Sequence, residues 1–380
     1  MSWNWELPDW PRFTWDAAKL TRAEGLFRES AGMVVGAVRH LPDADRDALT
    51  VELLTGDAID TSAIEGERLD RDRVQSSIRK QMGLSSDPRR VKPGEAGIAE
   101  MLVDIFRTYD QPLTRQRLCA WHRMVVRGRS DLEAVGRYRT HAEPMRVISG
   151  YNERQRLHFE APPSSRMRRE MARFLEWFGY TAPDGGGRLP ALTRAGLSHL
   201  WFESVHPFED GNGRIGRAIA EKALMQGLGR PAVTALSSTM LLYRKDYYQA
   251  LERASRGLDA TDWLLWFSTA AIEAGRRGFA RVEFLIHKSR MLDALRGRIN
   301  PRQEKALLRM FEAGPDGFAG GMSAGKYAAI TGAPPATVTR DLADLVAKGA
   351  LIREGERKAT RYRLNLLPGA VAKVRIADIL

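Results

Sequence analysis

"HPFEDGNGRIGR", His206–Arg217, sets one imidazole, two acids, three glycines and two arginines within twelve residues. The segment before it is apolar at Leu192, Leu197, Leu200 and Phe202. As a helix it must stop near Pro207, because proline disfavours helical geometry in the residue ahead of it. His206 is therefore expected at a helix end. The glycines around Asn212 in "EDGNG" favour a tight or left-handed turn. Arg214 then opens a second helix with Ile215, Ile219, Ala223 and Leu224 on its inner side. Helix, glycine-rich turn, helix is the prediction, with exposed backbone N–H groups at the turn and at the start of the second helix forming an anion cradle. Arg214 and Arg217 lie three apart, close enough on one face for both guanidiniums to reach it.

This is no Walker A loop, for it lacks a GK[ST] ending. It holds what a polyphosphate requires all the same: N–H donors, two cations, and Asp210 as a hard oxygen ligand suited to Mg²⁺. His206 alone among these residues accepts a proton near neutral pH and is the candidate general base. A metal-free hydrolase is compatible with the same residues. Taken singly, each of them is an ordinary cap or turn former; only their joint spacing argues for a site. Zinc is a poor fit, since His199 and His206 stand two turns apart with no third ligand in view. His199 reads as a packing or capping residue.

Working outward, a chain of 380 residues with 43% hydrophobic and 28% charged residues and nine tryptophans is folded and divides into two or three domains. The start, "MSWNWELPDWPRF", has neither a basic nor an apolar leader region, and no stretch is long and apolar enough to span a bilayer, so a cytoplasmic protein without a membrane partner is expected. Cys119, the single cysteine, excludes an intrachain disulfide and a cysteine-based zinc cluster. Helical patterns are expected at 16–38 and 44–59, behind an aromatic leader of Trp3, Trp5, Trp10, Phe13 and Trp15. "GLSSDPRRVKPG", Gly83–Gly94, reads as a linker or long loop. Helical periodicity returns at 95–109, 114–127, 165–177, 191–205, 214–227, 244–254 and 260–300. Within 136–163, the alternation in Met145, Arg146, Val147, Ile148 and Ser149, bracketed by turn formers, predicts a hairpin. The fold class is mainly α-helical with a small β-hairpin. The expected boundaries are 1–94, a helical N-terminal region; 95–275, the core; 276–300, a connecting helix; and 301–370, a separate terminal domain.

The formal charge is +12, and Arg281–Leu380 holds 18 Lys or Arg against 10 Asp or Glu. Such a field suits nucleic acid or another polyanion, and also nucleotide handling or plain solubility. In this region the pattern reads helix, turn, helix and two strands around "GERKAT", a winged-helix layout. Its second helix, 337–348, carries Thr337, Thr339 and Arg340 near the start. DNA or a protein surface are both open as its partner.

The opening stretch matches H-x-F-x-[D/E]-G-N-G-R-x-x-R at every specified position and so resembles the signature of the Fic (Fic/Doc) family. "GRYR", "VISG", "APP" and "LLYRKDYYQAL" resemble further segments of that family, and "TSAIEGERL" is similar to its inhibitory [S/T]-x-x-x-E-[G/N] motif. The resemblance implies a protein adenylyltransferase that moves AMP from ATP, with Mg²⁺, onto a Ser, Thr or Tyr hydroxyl of a protein, this chain among the candidates. By that resemblance 95–275 is the Fic catalytic core. His206 would be the base, Phe208 a packing anchor, and Asp210 the Mg²⁺ ligand. Gly211, Asn212 and Gly213 would cradle phosphates, the Asn212 side chain helping. Arg214 and Arg217 would engage the β- and γ-phosphate regions. Tyr247 or Tyr248 would line the adenine pocket, and the hairpin at 145–149 would be a flap that clamps a target segment by strand addition. Thr61, Glu65 and Gly66 would form the inhibitory motif, with Glu65 paired to Arg217. Two alternatives stand beside this: removal of AMP from a modified protein, and a DNA-binding regulator with a nucleotide-sensing core. A homodimer is compatible with the family's habits.

Overall fold

The computed structural model describes residues 2–38, 41–85, 90–149, 156–231, 234–314, 317–318, 320–366 and 372–380. In chain order the elements are α1 (Thr21–Val38), α2 (Asp43–Ile64), α3 (Arg71–Gln81), α4 (Pro93–Arg107), α5 (Arg115–Val125), β1 (Arg146–Ser149), β2 (Arg156–Glu160), α6 (Met167–Tyr180), α7 (Ala191–Val205), α8 (Asn212–Leu228), α9 (Leu236–Leu242), α10 (Arg244–Ala254) and α11 (Thr261–Leu295). They are followed by α12 (Pro301–Phe311), α13 (Ala324–Thr331), α14 (Pro335–Ala347), β3 (Leu351–Glu354), β4 (Arg361–Leu364) and α15 (Ile376–Ile379). The protein is mainly α-helical with two small antiparallel hairpins, β1–β2 and β3–β4.

Two compact units emerge: Met1–Arg276 with Lys373–Leu380, and Arg277–Ala372. The N-terminal region expected over 1–94 falls within the first unit. Its aromatic leader is built into the first unit: the Asn4 side-chain amide donates to Ser204 Oγ at 2.9 Å, Trp10 Nε1 donates to Glu170 Oε2 at 2.9 Å, and Trp10 packs edge-on against Trp201. The helix expected at 260–300 is α11, continuous over Thr261–Leu295, and the expected boundary at 276 falls within it.

In the first unit α7 is buried on nearly every side, as its all-round apolar sequence requires, and it packs along α8. Around them Trp121, Phe174, Phe178, Phe202, Phe208, Tyr247 and Trp263 form the largest buried side chains of an aromatic core. α3 has no counterpart in the sequence prediction. Its apolar anchors are only Val74 and Ile78, one turn apart in a polar run, and Asp70 caps it by accepting from the Arg73 N–H at 3.0 Å. In the expected flap, Ile148 pairs with Leu157 and Val147 with Phe159, a register shift falling between them. Trp3, Trp5, Met145 and Val147 pack at its base with Phe159. Residues 150–155 lie outside the described residues.

The second unit has its own core, in which Leu307, Met310, Phe311, Tyr327, Val338, Leu342, Leu345 and Leu351 meet. Asp341 ties three elements of it, accepting from Arg302, from Asn300 and from the Tyr327 hydroxyl.

Candidate active site

α7 ends where the proline predicts, and His206 follows in the left-handed region at φ 49°, its N–H donating to Phe202 O at 2.9 Å. The His206 carbonyl accepts from Arg139 Nε at 2.8 Å, and Arg139 also donates to Pro162 O and Ser164 Oγ. One buried guanidinium thus pins the helix end to the segment that follows the hairpin. The His206 ring turns Nδ1 toward Glu203 O at 3.3 Å. Donation there fixes the proton on Nδ1 and leaves the Nε2 lone pair to accept one. Burial, then the charge of Arg139, lowers the His206 pKa to about 4, so the ring is neutral at neutral pH.

Phe208 is fully buried and stacks on His122 at 4.2 Å with an interplanar angle of 7°. The Asn212 side chain, expected to help hold phosphate, is instead closed onto this residue. Its Oδ1 accepts the Phe208 N–H at 2.9 Å and its Nδ2 donates to Phe208 O at 2.8 Å, so the amide shapes the turn. Gly211 takes φ 79°, a conformation that suits glycine, and a Cβ there would lie 3.0 Å from Val125. α8 therefore starts at Asn212, two residues earlier than predicted, with its first N–H groups facing the cradle.

Both arginines are buried and both are held by acids from the end of α2. Arg217 donates from Nε to Thr61 Oγ1 at 2.8 Å, and from Nη2 to Thr61 O at 2.9 Å and to Glu65 Oε1 at 2.7 Å. Arg214 donates from Nη1 to Glu67 Oε2 at 2.8 Å. The shape of the helix end explains how two acids in one turn reach two arginines. Gly66, at φ 86°, lets the chain close with Gly66 N–H on Ala63 O and Glu67 N–H on Ser62 O. Although burial pushes the Glu65 carboxyl up, the charge and hydrogen bond of Arg217 hold it below its ordinary value. Its Oε1 lies only 2.3 Å from where a Cβ on Gly213 would sit, so the carboxylate rests in the mouth of the cradle.

Asp210 is paired with Arg129, which also holds Asp131, and stands 3.7 Å from Arg214 Nη2. Tyr247 is 1% exposed with its hydroxyl 2.8 Å from His199 Nε2, whereas Tyr248 is 39% exposed, with its hydroxyl 3.3 Å from Ile64 O. Of the two, Tyr248 is the one open to a ligand. His199 is fully buried, and Cys119 is buried with its thiol pKa raised by burial. Sequence reading missed Arg129, Arg139, Glu67 and Glu203. Arg139 and Glu67 lie inside the quoted "GRYR" and "TSAIEGERL"; nothing about Arg129 sets it apart from its polar loop.

Unpartnered buried donors remain at Arg214 Nε and Arg217 Nη1. A histidine at a helix end, an acid beside it, and two buried arginines around the N-terminus of one helix form an arrangement that suits a phosphate. Comparison with known proteins finds likenesses over parts of the chain. Residues 112–224 match the Fic/DOC family, and residues 3–84 match a domain of unknown function (DUF4172). The chain is 26% identical over 201 residues to the protein adenylyltransferase Fic of Nematostella vectensis, a match covering 52% of this chain and 42% of that protein, so it spans less than half of that relative. A crystal structure of a Fic family protein from Desulfovibrio desulfuricans G20 shares the fold over 93% of this chain and 98% of its own, with a TM-score of 0.50 and 21% identity. Residues 112–224 are thus similar to the Fic/DOC family, and the fold is shared with a Fic family protein. No helix among the described residues is long and apolar enough to cross a membrane.

Proposed function

We propose that this chain transfers the AMP moiety of ATP to a Ser, Thr or Tyr hydroxyl of a protein, and that Glu65 holds it inactive at rest. The supporting observation is the Glu65 carboxylate, which lies 2.7 Å from Arg217 Nη2 and against Gly213 at the start of α8. An acid of the chain itself fills a cradle whose donors suit a phosphate. Arg217 Nη1 and Arg214 Nε, buried without partners, offer further N–H groups to a polyphosphate. Among the described residues no group of three or more His, Cys, Asp or Glu could hold a metal ion. Asp210 would therefore hold Mg²⁺ together with the oxygens of the nucleotide. When bound, Mg²⁺ offsets charge on the phosphates.

In this reading His206 Nε2 takes the proton of the acceptor hydroxyl. The hydroxyl oxygen bonds to the α-phosphorus as the α–β anhydride breaks, and pyrophosphate leaves with the electron pair. Arg214 and Arg217 engage the β- and γ-phosphates once Glu67 and Glu65 give way. β1 lends its backbone to an extended segment of the target. Incubation of wild type, Glu65→Gly and His206→Ala with Mg²⁺ and ATP labelled at the α-phosphate tests this. Weak labelling of wild type, strong labelling of the first variant and none of the second is expected. Label arriving only from the γ-phosphate would overturn it.

A second reading concerns residues 277–372, for which we propose a winged-helix role in DNA binding. The order α12, α13, α14, β3, β4 supports it, as do Thr339 and Arg340, exposed on α14, and Arg353, exposed on the hairpin.

A further inference from the structure

Glu203 lies on the last turn of α7 with its side chain 13% exposed. Its Oε2 stands 3.6 Å from His206 Nδ1, and its backbone carbonyl oxygen faces the same nitrogen at 3.3 Å. Oε1 is buried without a hydrogen-bond partner. Room for it comes from Gly216, where a Cβ would fall 2.3 Å from Oε1 and 3.2 Å from the His199 ring. A glycine of the motif thus clears space for an acid outside the motif. Burying a carboxyl with an unsatisfied oxygen is unfavourable, and such a group beside a catalytic base calls for a role.

We propose that Glu203 is a positioning residue for His206. Its carbonyl and carboxyl together keep Nδ1 as the protonated nitrogen, so that Nε2 presents its lone pair to the acceptor hydroxyl, and its carboxylate offsets the imidazolium formed when that proton arrives. The inference rests on the reading of His206 as the base. One proton moves, from the acceptor oxygen to Nε2; no bond to Glu203 is made or broken. The logic is that of an acid orienting a histidine in a catalytic triad.

The surroundings give this a pH signature. Glu203 is faced by His199 and His206 from its own chain segment, by Arg217 from α8, by Glu65 from the end of α2 and by Tyr247 from α10. Burial raises its pKa to about 8, with Arg217 lowering it and Glu65 raising it. Removing Glu65 therefore lets Glu203 ionise at lower pH. As pH rises through that value a negative charge appears beside Nδ1, His206 becomes a stronger base, and the rate climbs a second time above its acid limb.

The test measures kcat and KM for ATP against pH in a Glu65→Gly background, with Glu203→Gln and Glu203→Asp added separately and the Tm of each recorded. Glu203→Gln is expected to keep its Tm and its KM for ATP, to lose kcat by about tenfold or more, and to lack the second rise; Glu203→Asp should retain the rise. Unchanged kcat and pH profile in Glu203→Gln would overturn the proposal. So would equal losses of kcat in both variants with the profile unmoved, the mark of simple packing. Should Gln unfold the chain, the absence of the rise in Glu203→Asp overturns it alone. Continued AMP transfer by His206→Ala would remove the underlying assignment, and is told apart because it needs no change at Glu203.

Discussion

Glu65 and Arg217 are joined by a 2.7 Å ion pair in which the arginine is 1% exposed and the acid 30% exposed. The pair bridges the C-terminal end of α2 and the second turn of α8, and in the proposed reading it occupies donors that a nucleotide phosphate would take. A charge-assisted hydrogen bond of this kind contributes about 1.5–3 kcal/mol. Glu65→Gly is therefore expected to raise AMP incorporation by about 10- to 100-fold. It should also lower Tm in the absence of ATP, because Arg217 is left buried without its counter-charge, and ATP should restore the loss. Equal rates of incorporation in variant and wild type would rule out the latch.

A second acid shares the task. Glu67 holds Arg214 at 2.8 Å but is 41% exposed, so solvent screens this contact more than the first. Glu67→Ala should raise activity less than Glu65→Gly does, by about two- to fivefold, and the double variant should exceed either alone. ATP titration calorimetry checks this directly: tighter binding in the double variant than in Glu65→Gly is the expected result, and identical affinities would show Glu67 to be a bystander.

Acid does not open the latch usefully. The Glu65 carboxyl has its pKa below the ordinary 4.5, so the pair is present above that value and is lost only as pH falls through the lowered one. His206, with a pKa of about 4, takes up a proton over the same range and can no longer act as a base. The ratio of Glu65→Gly to wild-type activity should stay well above one between about pH 6 and pH 8, rising where Glu203 ionises earlier in the variant. A ratio that collapses toward one within that interval would show that a different group controls release.

The parts of this site that sequence reveals are the local ones. Pro207 and Gly211 dictate backbone geometry by themselves, so the helix end, the turn and the second helix can be read from twelve residues. Glu65 was legible only through resemblance to a family motif. The contacts that complete the site join residues far apart in the chain: Arg214 to Glu67 across 147 positions, Asp210 to Arg129 across 81, His206 to Arg139 across 67. No periodicity or local spacing encodes such pairs, since they arise when helices pack. α3 was hidden for a related reason, its two apolar anchors being too few to raise a helical pattern above a polar run. Asn212 illustrates the converse, a residue rightly placed in the turn whose amide closes onto Phe208 rather than facing a ligand.

The surface of the second unit offers a separate measurement. Arg340 is exposed near the start of α14, the helix that a winged-helix reading would place in a major groove. Retention of the full chain on duplex DNA should weaken as salt rises, and Arg340→Ala should weaken it further without altering AMP incorporation. Absence of salt-dependent retention would leave this unit as a packing or protein-binding module.

Gly213 separates release of the latch from assembly of the cradle. A Cβ at this position would fall 2.3 Å from Glu65 Oε1 and 3.1 Å from Arg217 Nη1. Gly213→Ala must therefore push the Glu65 carboxylate off its seat, which by itself would mimic Glu65→Gly. The same methyl group, however, stands where a phosphate oxygen must approach the N–H groups of α8, so the vacated cradle cannot be used. The helix itself should tolerate the change, because alanine is favoured over glycine in a helix by about 1 kcal/mol. The expected outcome is a folded protein with weak ATP binding and little AMP incorporation, and with no gain when Glu65→Gly is added. If Gly213→Ala instead activates the enzyme to the level of Glu65→Gly, the backbone at the start of α8 does not hold phosphate, and Arg214 and Arg217 alone must account for nucleotide binding.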